Sequence, residues 1–193
     1  MLNVEELVAS HFRECGAQVW HLENTFSCAL FGLALWDVIF MPVKGAFDHP
    51  FQTAPADMYS HEFVTARQDA LTLRLQMLER NDFSMLELHM VSKTGIANDW
   101  VNWQLWQPEL WQQVKPLLDG MWLAKLIRHM LGSIKERRAG WPDLTLIKDG
   151  KLQFVEVKGP GDRLAPHQTQ WLRWLSESGM SATVLYVDWS VAD

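Results

Sequence analysis

The strongest constraint on the fold of this chain is a pair of short β-forming runs, DLTLI and KLQFVEVK, separated by Asp149-Gly150. Asp-Gly supplies the positive φ angles of a two-residue hairpin turn, so the two runs are predicted to pair as antiparallel strands. In that register Asp143 faces Glu156, and Lys158 points to the same side as Glu156. The predicted hairpin therefore brings two acids and an amine together.

This cluster requires an electrostatic explanation. Two carboxylates about 5 Å apart repel by roughly 3 kcal/mol at an effective dielectric of about 20. The repulsion is offset by a raised pKa on one acid, by the ammonium of Lys158, or by a divalent cation. Carboxylates without neighbouring Cys or paired His favour Mg²⁺ or Mn²⁺ over Zn²⁺. The alternative is a structural salt-bridge cluster on a solvated hairpin, which the apolar residues on both hairpin faces disfavour.

Length and composition indicate a globular protein. The 193-residue chain is predicted to be one domain, and its apolar runs are too short to cross a bilayer. Its N-terminus lacks a basic and apolar signal segment, so we expect an intracellular protein. The formal net charge of -6 weighs weakly against nucleic acid as a partner, but basic residues crowd the last third of the chain and favour a local basic face.

Periodicity and capping residues predict a largely helical first two thirds. Asn3 is a candidate cap for a first helix, and the nearly all-apolar run NTFSCALFGLALWDVIF predicts a buried helix. The segment 43–60, dense in Gly and Pro, is predicted to be a loop. Further helices are predicted over about 61–80, 83–92, 108–114, 120–138 and 166–178, followed by a last strand, ATVLYVDW.

Several motifs resemble those of known nucleases. The pattern of P-D followed by E-V-K resembles the PD-(D/E)XK nuclease superfamily, and the continuation EVKGPGDRLAPHQTQWL is similar to the VRR-type nuclease domain. Upstream, ENTFSCALFGLALWDVIF and APADMY are similar to the nuclease part of the Fanconi-associated nuclease family. The resemblance extends from about residue 20 to the end of the chain.

The resemblance implies an α/β (α+β) fold with a mixed central β-sheet flanked by helices. In this reading, residues 1–193 are a single VRR-type nuclease domain. A helical insertion, residues 44–135, lies between the first core helix and the catalytic hairpin. Residues 140–193 supply the hairpin, a helix and the last strand.

The resemblance also implies a site that binds one or two Mg²⁺ or Mn²⁺ ions. It makes Asp143 and Glu156 metal ligands and Lys158 the catalytic lysine. It adds Val157 as a ligand through its carbonyl oxygen and Glu23 as a further acid. The alternative for Glu23 is an acid favoured by the dipole at a helix start. The rivals for this third acid are Asp37 and Glu136.

Six further residues are candidates for contacts with DNA. Arg163 lies in the GPGDRL segment that resembles the family, and its alternative is an ion pair with Asp162 or Glu177. Gln168 is a candidate for contact with the lysine or a phosphate, and its alternative is an exposed helix position. The other four are basic residues whose alternative is a solvated helix face: Lys125, Arg128, Arg137 and Arg138.

The implied activity is a metal-dependent, structure-specific DNA nuclease of DNA repair, including interstrand crosslink repair. It would cut near 5′ flaps and digest DNA as a 5′ exonuclease. The alternatives are a dimeric four-way-junction resolvase and a branched-DNA binding module that does not cut. Because of the helical insertion we expect a monomer acting on branched or flapped DNA. We expect it to lack the family's N-terminal DNA-binding region and to work in the cytoplasm if bacterial or the nucleus if eukaryotic.

Overall fold

The computed structural model describes residues 3–188. Within this range the chain forms nine α-helices, one 3₁₀ helix and four strands. The helices are α1 (Val4–Glu14), α2 (Asn24–Ile39), α3 (His61–Ala66), α4 (Gln68–Glu79), α5 (Ser84–Ser92), α6 (Pro108–Val114), α7 (Gly120–Leu131), α8 (Ile134–Arg137) and α9 (Pro166–Glu177), with the 3₁₀ helix at Lys115–Leu117. The strands are β1 (Gln18–His21), β2 (Leu144–Lys148), β3 (Lys151–Lys158) and β4 (Ser181–Tyr186).

The chain divides into two compact units. The first contains the described residues of Met1–Phe26 and Ala139–Asp193, and the second contains Ser27–Arg138. The predicted helical insertion, 44–135, lies within the second unit. The single domain over residues 1–193 stays a prediction.

The sheet of the first unit has the order β1-β2-β3-β4. The pairs β1/β2 and β2/β3 are antiparallel, and β3/β4 is parallel. This arrangement confirms the predicted mixed sheet. The hairpin register is also confirmed, because Leu144 pairs with Val155, and Asp149 and Gly150 adopt φ angles of 51° and 69°. The short strand β1 was not predicted, because its four residues, QVWH, give too little alternation to be recognised.

One face of the sheet packs against α1. Val8 and Ala9 of α1 belong to a buried cluster with Val155 and Val157 of β3. The helix begins as predicted, since the Asn3 side chain accepts a hydrogen bond from the Glu6 N–H at 2.8 Å. This packing fixes β3, the strand that carries Glu156 and Lys158.

The opposite face of β3 packs against aromatic side chains. The Phe154 ring lies 5.1 Å from Phe26 and 5.0 Å from Trp141, both edge-on. Trp141 in turn contacts Trp171 of α9 at 4.9 Å. Because residues alternate along a strand, Glu156 and Lys158 lie on this same face as Phe154.

The second unit is helical. The buried side chains of α2, including Phe31, Leu33 and Ile39, surround the helix on all sides, as the apolar sequence predicted. Residues 40–60 contain no helix or strand, and α5 and α6 lie where they were predicted. No helix within residues 3–188 is long and apolar enough to cross a membrane.

Two predicted helices are each divided in two. The helix predicted over 61–80 is interrupted at Arg67, whose buried guanidinium donates to Val38 O and to the Asp57 carboxylate. The helix predicted over 120–138 is interrupted between Leu131 and Ile134, where Ser133 has the non-helical angles φ -162° and ψ 78°. The sequence predicted the helical segments correctly and their continuity incorrectly.

Candidate active site

Asp143 lies directly before β2 and connects three segments of the first unit. Its Oδ2 accepts a hydrogen bond from the backbone N–H of Val157 at 2.8 Å, so its carboxylate lies against β3. Its carbonyl oxygen accepts from the N–H groups of Leu22 and Glu23, at 3.2 and 3.1 Å. Asp143 therefore joins the end of β1 to the hairpin.

Glu156 is buried, with 1% of its surface exposed. The Lys158 ammonium donates to Oε1 of Glu156 at 2.7 Å, and the Gln168 side-chain amide donates to the same oxygen. The other oxygen, Oε2, is buried without a hydrogen-bond partner. A buried carboxylate oxygen without a partner is costly, so this atom requires an explanation.

The pKa of each carboxyl group is raised, chiefly because burial disfavours the charged form. Burial raises the pKa of Asp143, opposed by the Val157 N–H and the charge of Lys158. Burial also raises the pKa of Glu156; its hydrogen bond to Lys158 opposes this rise, and the charge of Asp143 adds to it. Burial alone would lower the pKa of Lys158, but its bond to Glu156 and the neighbouring acids raise it, so the amine is an ammonium at neutral pH.

Glu23 follows β1 and precedes α2. Its φ is +45°, in the left-handed region that non-glycine residues rarely adopt, and its side chain is exposed. Its backbone is held at Asp143 through the N–H bond described above. Among residues 3–188, no three His, Cys, Asp or Glu side chains form a ready metal cluster, so the assignment of Glu23 as a third ligand stays a prediction.

The rivals for the third acid have partners in the second unit. Asp37 Oδ2 pairs with Arg74 at 2.8 Å, and Glu136 Oε2 accepts from the Ser133 hydroxyl at 3.0 Å. The ion pair anchors Asp37 to a buried arginine, and the hydroxyl bond holds Glu136 near the start of its own helix.

The residues of the first unit fit a hard divalent cation. Glu156 Oε2 is an available acceptor, and Asp143 places a second carboxylate on the same side of the hairpin. An all-oxygen donor set of this kind is the one that Mg²⁺ and Mn²⁺ prefer. Asp143 and Glu156, with the Val157 carbonyl and Glu23 as the further predicted donors, would hold the ion.

The six residues predicted to contact DNA differ in their exposure and in their hydrogen-bond partners. Arg163 and Lys125 are exposed. Arg128 pairs with Glu79, Arg137 donates to the His129 carbonyl, and Arg138 donates to the Tyr59 hydroxyl and to Asp99 O. Gln168 binds Glu156 rather than projecting freely from its helix. Contact of these six residues with DNA stays a prediction.

The sequence did not predict the bond between Gln168 and Glu156. The side-chain oxygen of Gln168 accepts from the Ala165 N–H at 3.0 Å, which places Gln168 at the third position of α9 in the role of a capping glutamine. A glutamine at the third position of a helix is a known capping residue, so the sequence contained a signal for the bond between Gln168 and Ala165. The sequence did not reveal, however, that the other end of the amide meets β3.

The first unit is a mixed sheet whose central hairpin brings the buried Glu156 and the half-buried Asp143 together with Lys158, and comparison with known proteins identifies the family. Residues 79–189 match the family model of the VRR-NUC domain, which is more than half of the chain. The chain therefore belongs to the VRR-NUC domain family.

Its relatives include Fanconi-associated nucleases. The chain is 37% identical over 194 residues to the Fanconi-associated nuclease 1 homolog of Pseudomonas aeruginosa, covering 99% of this chain and 35% of that protein. It is 32% identical over 196 residues to Fanconi-associated nuclease 1 of Homo sapiens, covering 97% of this chain and 19% of that protein. The chain thus spans about a third of the bacterial relative and about a fifth of the human one.

Solved structures give the same result. The fold matches that of paFAN1 in a crystal structure with DNA that has a two-nucleotide 5′ flap and a gap, with a TM-score of 0.95 and 36% identity. The match covers 100% of this chain and 36% of that chain. The corresponding complex with a one-nucleotide 5′ flap gives a TM-score of 0.94. These similarities confirm the predicted family and fold class.

Proposed function

We propose that this chain is the catalytic part of a metal-dependent, structure-specific DNA nuclease. It would cut near 5′ flaps and digest DNA as a 5′ exonuclease. The single observation that carries the proposal is the buried Glu156 carboxylate, which has one oxygen held by Lys158 and the other without a partner beside Asp143. The flap DNA in the similar paFAN1 structures supports flapped DNA as the substrate.

The residues of the first unit have separable roles in this proposal. Asp143 and Glu156 hold the cation, Mg²⁺ or Mn²⁺, together with Val157 O and Glu23. When bound, the cation stabilises negative charge on the reacting phosphate and makes a nearby water molecule more acidic. Lys158, held as an ammonium by Glu156, orients the attacking water or stabilises the charge that develops on the phosphate oxygens.

The proposal also covers the cellular location, the repair pathway and the oligomeric state of the protein. We place it inside the cell at DNA, in the cytoplasm of a bacterium or the nucleus of a eukaryote, in repair that includes interstrand crosslinks. Because the chain spans only about a third of its bacterial relative, we propose that an N-terminal DNA-binding region contributes to substrate choice in the longer proteins. We propose a monomer as the active form.

The test is cleavage of a labelled 5′-flap duplex in Mg²⁺ or Mn²⁺. Asp143→Asn, Glu156→Gln and Lys158→Met should each lower the cleavage rate by at least about 100-fold while DNA binding is retained. Lys151→Met, an exposed lysine at the start of the same strand, is the matched control and should cleave at the wild-type rate. Cleavage that survives a chelator or all three site substitutions would overturn the proposed chemistry.

A four-way junction in the same assay separates the competing functions. A monomeric flap nuclease should cut the flap and leave the junction largely intact. Paired symmetric cuts in the junction, with a dimer seen by analytical ultracentrifugation, would identify a resolvase instead. Tight binding of both DNAs without cutting would identify a binding module.

A further inference from the structure

The side-chain amide of Gln168 connects the start of α9 to the acid at the centre of β3. Its Oε1 accepts from the Ala165 N–H at 3.0 Å, and its Nε2 donates to Glu156 Oε1. The first bond fixes the orientation of the amide, because an oxygen that accepts from a backbone N–H leaves the NH₂ group to face the other way. Gln168 therefore presents a donor to Glu156 in a fixed position.

The consequence for Glu156 is an asymmetric carboxylate. Two donors, the Gln168 amide and the Lys158 ammonium, meet at Oε1, whereas Oε2 is buried without a partner. With Oε1 fixed at two points, rotation of the carboxylate about its last bond is restricted. The orientation of Oε2 is thus set by neighbouring side chains of the protein.

We propose that Gln168 is a positioning residue that holds Glu156 so that Oε2 is directed toward the divalent cation. This inference rests on the proposed metal-dependent function and gives Gln168 a role other than contact with DNA. Partners that orient a metal ligand in this way are commonly worth 10–100-fold in metal affinity or activity.

The decisive measurement is Mn²⁺ binding to the whole chain by isothermal titration calorimetry. Gln168→Leu removes both the donor and the acceptor, and it should weaken Mn²⁺ binding by about 10–100-fold. Gln170→Leu makes the same chemical change at an exposed position two residues further along α9, and it should leave the Mn²⁺ affinity unchanged.

A second variant keeps the proposal falsifiable if Gln168→Leu fails to fold. Gln168→Asn keeps the amide but withdraws it by one methylene, so it should weaken Mn²⁺ binding with a smaller effect on thermal unfolding. In cleavage assays, both variants should raise the Mn²⁺ concentration that gives half-maximal rate, while the KM for flap DNA stays constant.

Three outcomes would overturn the inference or its basis. Wild-type Mn²⁺ affinity in folded Gln168→Leu, with only a lower unfolding temperature, would assign Gln168 a structural role in capping α9. Weaker metal-free DNA binding with unchanged Mn²⁺ affinity would assign it to DNA contact. A wild-type chain that does not bind Mn²⁺ at all would contradict the proposed function itself.

Discussion

Arg67 and Glu156, two buried charged side chains that belong to different compact units, differ in how fully they are hydrogen-bonded. In the second unit the Arg67 guanidinium is 1% exposed, and its three nitrogens bond to the Asp57 carboxylate and to the carbonyls of Val38 and Phe63. In the first unit the equally buried Glu156 has one oxygen with two donors and one with none. The complete hydrogen bonding of Arg67 agrees with a structural role, whereas the remaining acceptor of Glu156, beside Asp143 and Lys158, is the atom that the proposed cation would use.

The largest change in stability should come from removing the Arg67 guanidinium, which is fully hydrogen-bonded in the second unit. Arg67→Met leaves the Asp57 carboxylate without its partner and should lower the free energy of unfolding by about 3–5 kcal/mol. Urea denaturation followed by circular dichroism measures the change. The control is Arg80→Met, at an exposed arginine that follows α4. It should change the free energy of unfolding by less than about 0.5 kcal/mol. A decrease in the free energy of unfolding of less than about 1 kcal/mol for Arg67→Met would show that the bonds of Arg67 contribute little to stability.

The site formed by Asp143 and Glu156 should instead be stabilised by a divalent cation. Mn²⁺ at about 100 times its dissociation constant should raise the free energy of unfolding by about 2.7 kcal/mol, because only the folded chain offers the preformed acids. Asp143→Asn should abolish this increase, whereas Arg80→Met should retain it. The measurement is the unfolding midpoint in urea with and without Mn²⁺, and an equal increase in Asp143→Asn would place the ion elsewhere.

His129 in the second unit and Asp143 in the first should contribute pH dependences of opposite sign. Burial lowers the pKa of His129 in the second unit to about 4, with the charge of Arg137 adding to the effect. Between its ordinary pKa of about 6.5 and about 4, the unfolded chain is therefore the more protonated state, and stability is lost as the pH falls. The full shift corresponds to about 3 kcal/mol, reduced by the partial exposure of the ring. His129→Gln should flatten this loss in urea titrations at pH 4–7.

The opposite sign is expected for Asp143 in the first unit when a chelator is present. The raised pKa of Asp143 makes the folded state the tighter proton binder, so its stabilising contribution is present at low pH and lost as the pH rises through the folded pKa. Asp143→Asn has no such group and should therefore gain stability relative to wild type as the pH rises from 3 to 7. A constant difference between the two proteins over that range would contradict this expectation.

The smallest effect concerns backbone strain at Glu23. A non-glycine residue in the left-handed region costs about 1–2 kcal/mol, so Glu23→Gly should raise the free energy of unfolding by up to about 1 kcal/mol. If Glu23 binds the cation, cleavage should fall at the same time. Asp149→Gly, at the hairpin turn with a φ of 51°, makes a matched change and should stabilise the chain without lowering cleavage. Equal cleavage in both variants would remove Glu23 from the site.

Local signals in the sequence predicted much of this architecture. Asp149-Gly150 predicted the hairpin and its register, and with the register came the juxtaposition of Asp143 with β3. Asn3 predicted the start of α1. The apolar α2 was recognised as a buried helix because its pattern leaves no face for water. Features that depend on neighbouring residues in sequence could therefore be inferred before the structure.

The features that the sequence did not reveal depend on distant partners. At the break between α3 and α4, the Arg67 guanidinium donates a hydrogen bond to Val38 O, which is 29 positions away in the chain. The periodicity of apolar residues cannot predict such a bond. Strand β1 is defined by its pairing with β2, since it is too short to show alternation. The contact of Gln168 with Glu156 was missed for the same reason, although its helix position was predictable.

The carbonyl of Asp143 links the proposed active site to the folding of the whole first unit. It accepts hydrogen bonds from Leu22 and Glu23, so residues separated by about 120 positions in the chain must meet before the acids have fixed positions. Without this junction, Glu23 would not be held beside Asp143. In the proposed nuclease, cleavage of DNA would therefore require that residues 18–23 and the hairpin have already folded together.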